Sequence, residues 1–272
     1  MNNIYIIADL HGHIDPLIVL KNTLEYAYAQ PLDEKDTIIC LGDVGANFYL
    51  NKTDKKFKTK LQELGCQLFF IRGNHEQRPS ILAEAAPQQW EMREFFDNDV
   101  WVEKEYPNVN YAMDHPAAYN INGFYTFVFP GAYSVDKWYR LQNHWAWFEN
   151  EQLTPQEMET GKKMVELSQN HCDLVLSHTC PSIFVPTDLF LNTIDQSMVD
   201  TTMERYLGEI EYQLQYKLWC FGHYHAYRPY PIYDNKQVLM LFNKEVLNLT
   251  KFIETNDICK STIYIKGENF NA

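Results

Sequence analysis

The sequence contains no Cys-x-x-Cys pair, no internal repeat, no low-complexity tract and no apolar run approaching the roughly 20 residues a membrane-spanning helix needs. Its six cysteines are scattered, and Cys40, Cys66, Cys172 and Cys220 lie in or beside apolar runs. That distribution argues against a disulfide framework or a structural thiolate zinc site and predicts reduced core thiols in a cytoplasmic protein. The amino terminus carries no basic leader, and Asp9 interrupts its first apolar run too early for a signal peptide. A soluble protein without a membrane partner is expected. Cations are also scarce: 23 Lys and Arg stand against 36 Asp and Glu, for a net charge of −13. Such a balance disfavours long nucleic acid, whose binding is driven by basic surface and counterion release. Bound metal would reverse the sign locally, so an anionic substrate stays possible.

What is present is a repeated local event. Five short apolar runs end in a residue able to bind a metal: Asp9 and His11 after Ile4 to Ala8, Asp43 after Ile38 to Gly42, Asn74 after Leu68 to Gly73, His178 after Leu174 to Ser177, and His223 with His225 after Leu218 to Gly222. Runs of this length, rich in Ile, Val and Phe and bounded by Gly, read as strands buried on both faces. Parallel sheets bind ligands at the carboxyl ends of their strands. If the runs lie side by side, all these donors converge on one edge. In Asp9-Leu10-His11 and His223-Tyr224-His225 the donors alternate, so at a strand end each pair is expected to share a side. Because the donors extend from Asp9 to His225, residues 1–272 are read as one α/β unit, and 46% hydrophobic content suffices for its core.

Between the runs, Asp15-Pro16 opens a helix expected to continue to about Gln30, with Leu17, Leu20, Leu24 and Ala27 on one face. A second helix is predicted over Lys52 to Leu64. Its five lysines, Lys52, Lys55, Lys56, Lys58 and Lys60, are read as a solvated face rather than a docking patch for an anionic partner. From Trp101 to Pro130 the pattern turns to strands, with a hairpin at Asn122-Gly123. Residues 132–170 form an aromatic-rich segment, expected to be a helical cap, whose later helix opens at the capping box Thr154-Pro155-Gln156-Glu157. A further hairpin near Asp234-Asn235 and a last strand over Ser261 to Ile265 complete the pattern.

Oxygen donors mixed with imidazoles suit Mn, Fe or Zn better than Ca²⁺, and seven donors exceed what one ion needs. A carboxylate bridging two ions accounts for the number. The motifs Asp9-Leu10-His11-Gly12, Gly42-Asp43, Gly73-Asn74-His75-Glu76, a lone His178 and Gly222-His223-Tyr224-His225 occur in an order that resembles the calcineurin-like metallophosphoesterases. The resemblance implies a four-layer αββα sandwich, two mixed sheets with helices outside, and a site at the carboxyl edge of the strands. It also implies two divalent or trivalent ions, Mn, Fe or Zn, with Mn the first choice in vitro. One ion would take Asp9, His11 and His225, the other Asn74, His178 and His223, and Asp43 would bridge. Two ions about 4 Å apart acidify a shared water and clamp phosphoryl oxygens, so a bridging hydroxide would attack phosphorus. His75 would protonate the leaving oxygen as general acid.

The pattern departs from phosphoprotein phosphatases of this superfamily, which extend the second motif to Gly-Asp-x-x-Asp-Arg-Gly. Here Ala46 and Asn47 occupy the Asp and Arg places, leaving His75 without its expected partner. Candidates to grip substrate are Arg140, Asn47, Arg72 and His13. For Asn47 the competing reading is a turn residue, for Arg72 a structural ion pair, and for His13 simple exposure. The stretch from Gly131 to Arg140, continuing to Trp145, Trp147 and Glu149, resembles a segment of some bacterial superfamily members. Its aromatics either wall a base, sugar or peptide or pack together as a small core of their own. Cys180, two residues past His178, is read as a loop thiol rather than a ligand. The expectation is hydrolysis of a phosphomonoester or small nucleotide-like phosphoester, with a phosphorylated small molecule or peptide as partner. The rivals are a phosphoprotein phosphatase, a phosphodiesterase or nuclease, and a metal-binding scaffold without catalysis. Substrate choice is expected to reside in the cap and in the loop from Thr179 to Gln196.

Overall fold

The computed structural model describes residues 2–190 and 194–265; residues 191–193 of the 179–196 loop and the last seven of the 1–272 unit lie outside the described residues. Alternation along the strands builds the molecule. In β1 (Ile4–Ile7), Ile4 and Ile6 face one core while Tyr5 and Ile7 face another. The same split separates Ile39 and Leu41 from Ile38 and Cys40 in β2 (Thr37–Leu41), and Phe69 and Ile71 from Leu68 and Phe70 in β3 (Gln67–Ile71). Strands apolar on both faces must be covered on both.

The first sheet pairs β1, β2 and β3 in parallel and has eight strands. Beyond β3 lie β6 (Val109–Tyr111), β5 (Asn98–Glu103) and β4 (Trp90–Phe95); beyond β1 lie β13 (Glu245–Asn248) and β14 (Thr262–Tyr264). The second sheet has six strands, in the order β11 (Arg228–Pro229), β12 (Gln237–Met240), β10 (Leu218–Phe221), β9 (Leu174–Ser177), β8 (Phe124–Phe129) and β7 (Ala117–Ile121). Its central strands β8, β9, β10 and β12 run parallel. The antiparallel pairings at the flanks make both sheets mixed.

Three cores separate four layers. The first lies between the sheets, where Ile6, Leu41, Phe69, Leu176 and Cys220 meet. The second binds the outer face of the first sheet to α1 (Asp15–Tyr28), through Leu17, Leu20 and Leu24, and to α2 (Lys52–Gln62), through Phe57 and Leu61; α3 (Pro79–Ala85) adds Ala83. The third covers the second sheet with Val165 of α5 (Pro155–Leu167) and with Met203, Leu207 and Ile210 of α6 (Thr202–Gln213). Between β8 and α5 lies the short α4 (Lys137–Gln142), and α7 (Leu249–Thr255) and α8 (Ile258–Ser261) precede β14.

Several expectations are revised. The first helix ends at Tyr28 because Ala29 turns left-handed, and the second ends at Gln62. Strand structure begins at Trp90 rather than Trp101, since β4 pairs antiparallel with β5 across a turn at Phe96 and Asp97. That strand is an edge carrying Glu91, Arg93 and Glu94, and its turn has left-handed φ at both residues without a glycine to announce it. Lys58 is not part of a solvated face: it is buried, ion-paired with Glu103 and donating to Asn47 Oδ1. A cation at that depth is tolerated because its partners are buried with it. The capping box at Thr154 and Glu157 forms as expected, and all six cysteines are free. Among the described residues no helix is long and apolar enough to cross a membrane.

Candidate metal centre

The donor-tipped runs β1, β2 and β3 belong to one sheet and β9 and β10 to the other, and the loops leaving them bring their donors together. Ligand atoms of Asp9, His11, Asp43 and His225 lie within 4.8 Å of one another, and so do those of Asp43, His178 and His223. Asp43 belongs to both groups. Asn74 joins the second through its amide oxygen, 2.8 Å from His178 Nε2. All seven residues singled out as donors therefore converge.

They do not converge by strand alternation. β1 ends at Ile7 and β10 at Phe221, before the first donor of each run. Asp9, His11, Asp43, His223 and His225 all have left-handed backbone, with φ of 55°, 47°, 49°, 71° and 52°. Each such residue costs on the order of 1 kcal/mol, and Asp and His are among the side chains that tolerate it. Residues held in this region cluster at functional sites. Two glycines permit the close approach: a Cβ on Gly73 would come within 2.1 Å of Asp43 Oδ1, and one on Gly42 within 2.2 Å of His178 Nδ1.

The hydrogen bonding leaves lone pairs aimed inward. His178 Nδ1 donates to the Leu41 carbonyl at 2.7 Å, which frees Nε2 to face Asn74 Oδ1 and Asp43 Oδ1, the latter at 3.4 Å. A ring proton pinned to a backbone carbonyl is how proteins orient a metal-binding imidazole. His11 Nε2 and His225 Nε2 approach to 2.9 Å, and His225 stacks on Phe242. His223 donates its backbone N–H to the Asp9 carboxylate, while its buried Nδ1 has no hydrogen-bond partner. An orphaned buried nitrogen beside two carboxylates and further imidazoles is a set that fits cations.

The carboxylates and imidazoles also set one another's charge. Burial, reinforced by Asp43, pushes the Asp9 carboxyl well above its ordinary range, with His178 opposing. Asp43 is equally buried, but His75, His178 and His11 hold it well below the usual carboxylate range. Burial works against a charged His178, yet Asp43 and Asp9 raise it to about 9.

His75 stands outside the donor groups. Its backbone N–H donates to Asp43 Oδ1 at 2.9 Å, its ring stacks on Phe48, and Nε2 lies 3.8 Å from Asp43 Oδ2. The missing partner is Arg140, whose Nη2 reaches the His75 ring, 3.1 Å from Nδ1, and can donate to whichever ring nitrogen carries no proton. Asp136, one helical turn before Arg140, accepts from its Nε at 2.7 Å. Burial, with Arg140 and His11 adding to it against the pull of Asp43, lowers the His75 imidazole to about 4. An anion seated against Arg140 would favour the protonated ring.

The other substrate candidates are placed differently. Arg72 is buried: Nη1 donates to the carbonyls of Glu151 and Gly73, and Nε lies 3.8 Å from Asp114, while Nε and Nη2 have no hydrogen-bond partner among the described residues. Asn47 is buried, and its amide oxygen accepts from Lys58. His13 is exposed. Cys180 packs against the Tyr224 hydroxyl in the outer core. The aromatics of 132–170 do not form a core of their own, since Trp138, Tyr139 and Trp145 are all more than half exposed.

Sequence reasoning missed Phe48, Ser134 and Glu151. Phe48 follows the second motif directly, so proximity to Asp43 was its available signal. Glu149 was noted in the 131–149 stretch and is exposed, whereas Glu151 is buried and binds Ser134 and Trp147.

The profile of the calcineurin-like phosphoesterases matches residues 3–227, and the chain belongs to that family. Among solved structures, TT1561 of Thermus thermophilus is similar over 97% of this chain and 99% of its own, at 12% identity and a TM-score of 0.53. A dimetal phosphatase from Danio rerio is similar over 90% of this chain and 94% of its own, at 12% identity and a TM-score of 0.47. Identities this low bear on the fold alone. No curated protein sequence matches the chain.

Proposed function

We infer that the protein is a metal-dependent hydrolase of phosphomonoesters or small nucleotide-like phosphoesters. The observation that carries this reading is the position of Asp43, shared by two donor groups and bonded to the backbone of His75. Asp9, His11 and His225 would hold one ion and Asn74, His178 and His223 the other, with Asp43 common to both. Two bound ions would supply an acidified water and charge neutralisation for the phosphoryl oxygens. Arg140 would grip the phosphoryl group, its guanidinium already aimed by Asp136. His75 would give the leaving oxygen its proton. Residues 132–170 would serve as a cap whose exposed Trp138, Tyr139 and Trp145 stand free to meet the remainder of the substrate.

The net charge of −13 supports a small or peptide-borne phosphate over long nucleic acid, and six free cysteines support a cytoplasmic setting. The test is a panel of aryl phosphates, nucleotides, phosphopeptides and phosphodiesters assayed with Mn²⁺, Fe²⁺ and Zn²⁺. Metal-dependent turnover of a monoester is expected. Preference for phosphopeptides or diesters would replace the substrate assignment, and no turnover with metal bound would leave a scaffold.

A further inference from the structure

Asn74 can offer a cation either its amide oxygen or, flipped, its NH₂ group, and only the oxygen binds. The oxygen faces His178 Nε2 at 2.8 Å, and the NH₂ side is held from outside the donor groups. Asn74 Nδ2 donates to Ser134 Oγ at 2.9 Å, and Ser134 Oγ donates in turn to Glu151 Oε2. Glu151 is buried, and three donors converge on its carboxylate: the Ser134 hydroxyl, the Ser134 backbone N–H at 3.0 Å and Trp147 Nε1 at 2.9 Å. Its backbone carbonyl is fixed by Arg72 at 2.6 Å.

We propose that Glu151 and Ser134 are positioning residues that set the polarity of Asn74, holding its carbonyl oxygen toward His178 and the second donor group. A carboxylate accepts hydrogen bonds and does not donate them, so it draws the Ser134 hydroxyl proton to itself. The lone pair of Ser134 is then left for Asn74, which must present its NH₂ there and its oxygen on the opposite side. This assignment rests on the phosphoesterase reading only in taking Asn74 as a ligand. It gives the 131–151 segment two ties to the site, Arg140 against His75 and Ser134 against Asn74.

The test titrates metal-free protein with Mn²⁺ alone by calorimetry, with melting temperature followed alongside. Wild type is expected to bind two ions. Ser134→Ala and Glu151→Gln should each weaken one of the two by about 10-fold to 100-fold and leave the other unchanged. In an Asn74→Asp background, where either carboxylate oxygen can bind, Ser134→Ala should lose its effect. That loss of effect is what a merely structural serine would not produce. Wild-type binding in both variants, an equal loss at both ions, or an undiminished Ser134→Ala effect in the Asn74→Asp background would overturn the assignment while leaving the phosphoesterase reading intact. Failure of wild type to bind Mn²⁺ would overturn both.

Discussion

The two donor groups that share Asp43 are built to different standards. In the inner one, His178 is fully buried and tied by Nδ1 to Leu41, and Asn74 is held by Ser134. In the outer one, His225 is exposed and His11 partly so, and their closest polar contact is with each other. His225 also stacks on Phe242, and His11 makes edge contacts with neighbouring rings and lies 3.9 Å from Asp43 Oδ2. The difference teaches which imidazoles the fold holds by hydrogen bonds and which it leaves nearer to solvent. A ligand locked by hydrogen bonds loses little freedom on binding metal, whereas a loosely held one must be ordered at that moment.

The strongest way to break the comparison is to remove what the halves share. Asp43→Asn should lower turnover by on the order of 10³-fold and reduce both ions in a metal analysis; retention of both would mean the halves are independent. Gly73→Ala, which drives a methyl group against Asp43, should have nearly the same consequence for metal content.

His75→Ala comes next, with an expected rate loss of ~10²-fold to 10⁴-fold at unchanged metal content, because His75 belongs to neither half. An unchanged rate would remove it from the chemistry. Arg140→Ala should weaken substrate affinity by roughly 10-fold to 100-fold, the worth of a charged hydrogen bond, read as a rise in KM. The sharpening test is a pair. His178→Ala should lower stability by ~1–3 kcal/mol, since it leaves the Leu41 carbonyl buried without its donor. His11→Ala should change stability by no more than ~0.5 kcal/mol, measured by denaturant unfolding of the metal-free proteins. Equal losses would erase the distinction between inner and outer halves.

Much of this was legible in the chain because strand-end chemistry is local. Apolar runs in Ile, Phe and Val, each closing on Asp, Asn or His, announced both the strands and the residues that meet at their ends. The way they meet was not legible, since alternate spacing suggested extended strand ends while the backbone turns left-handed at five donors. Nor could spacing reveal that Arg140, 65 residues from His75, supplies its partner, or that Arg72 and Lys58 are buried. The Arg140 and Arg72 contacts depend on how the segment from 131 to 151 meets the loop after β3, and that of Lys58 on Glu103 of β5; no periodicity encodes either. Edge strand β4 escaped notice because exposed charge masks the alternation by which strands are recognised.

The central claim is that Asp43 joins two unlike halves into one centre. Electron paramagnetic resonance of the protein loaded with two equivalents of Mn²⁺ tests it most directly. The account predicts the spectrum of an exchange-coupled pair, replaced in Asp43→Asn by isolated-ion signals of reduced intensity. An uncoupled six-line spectrum from the wild-type protein at full loading would contradict it.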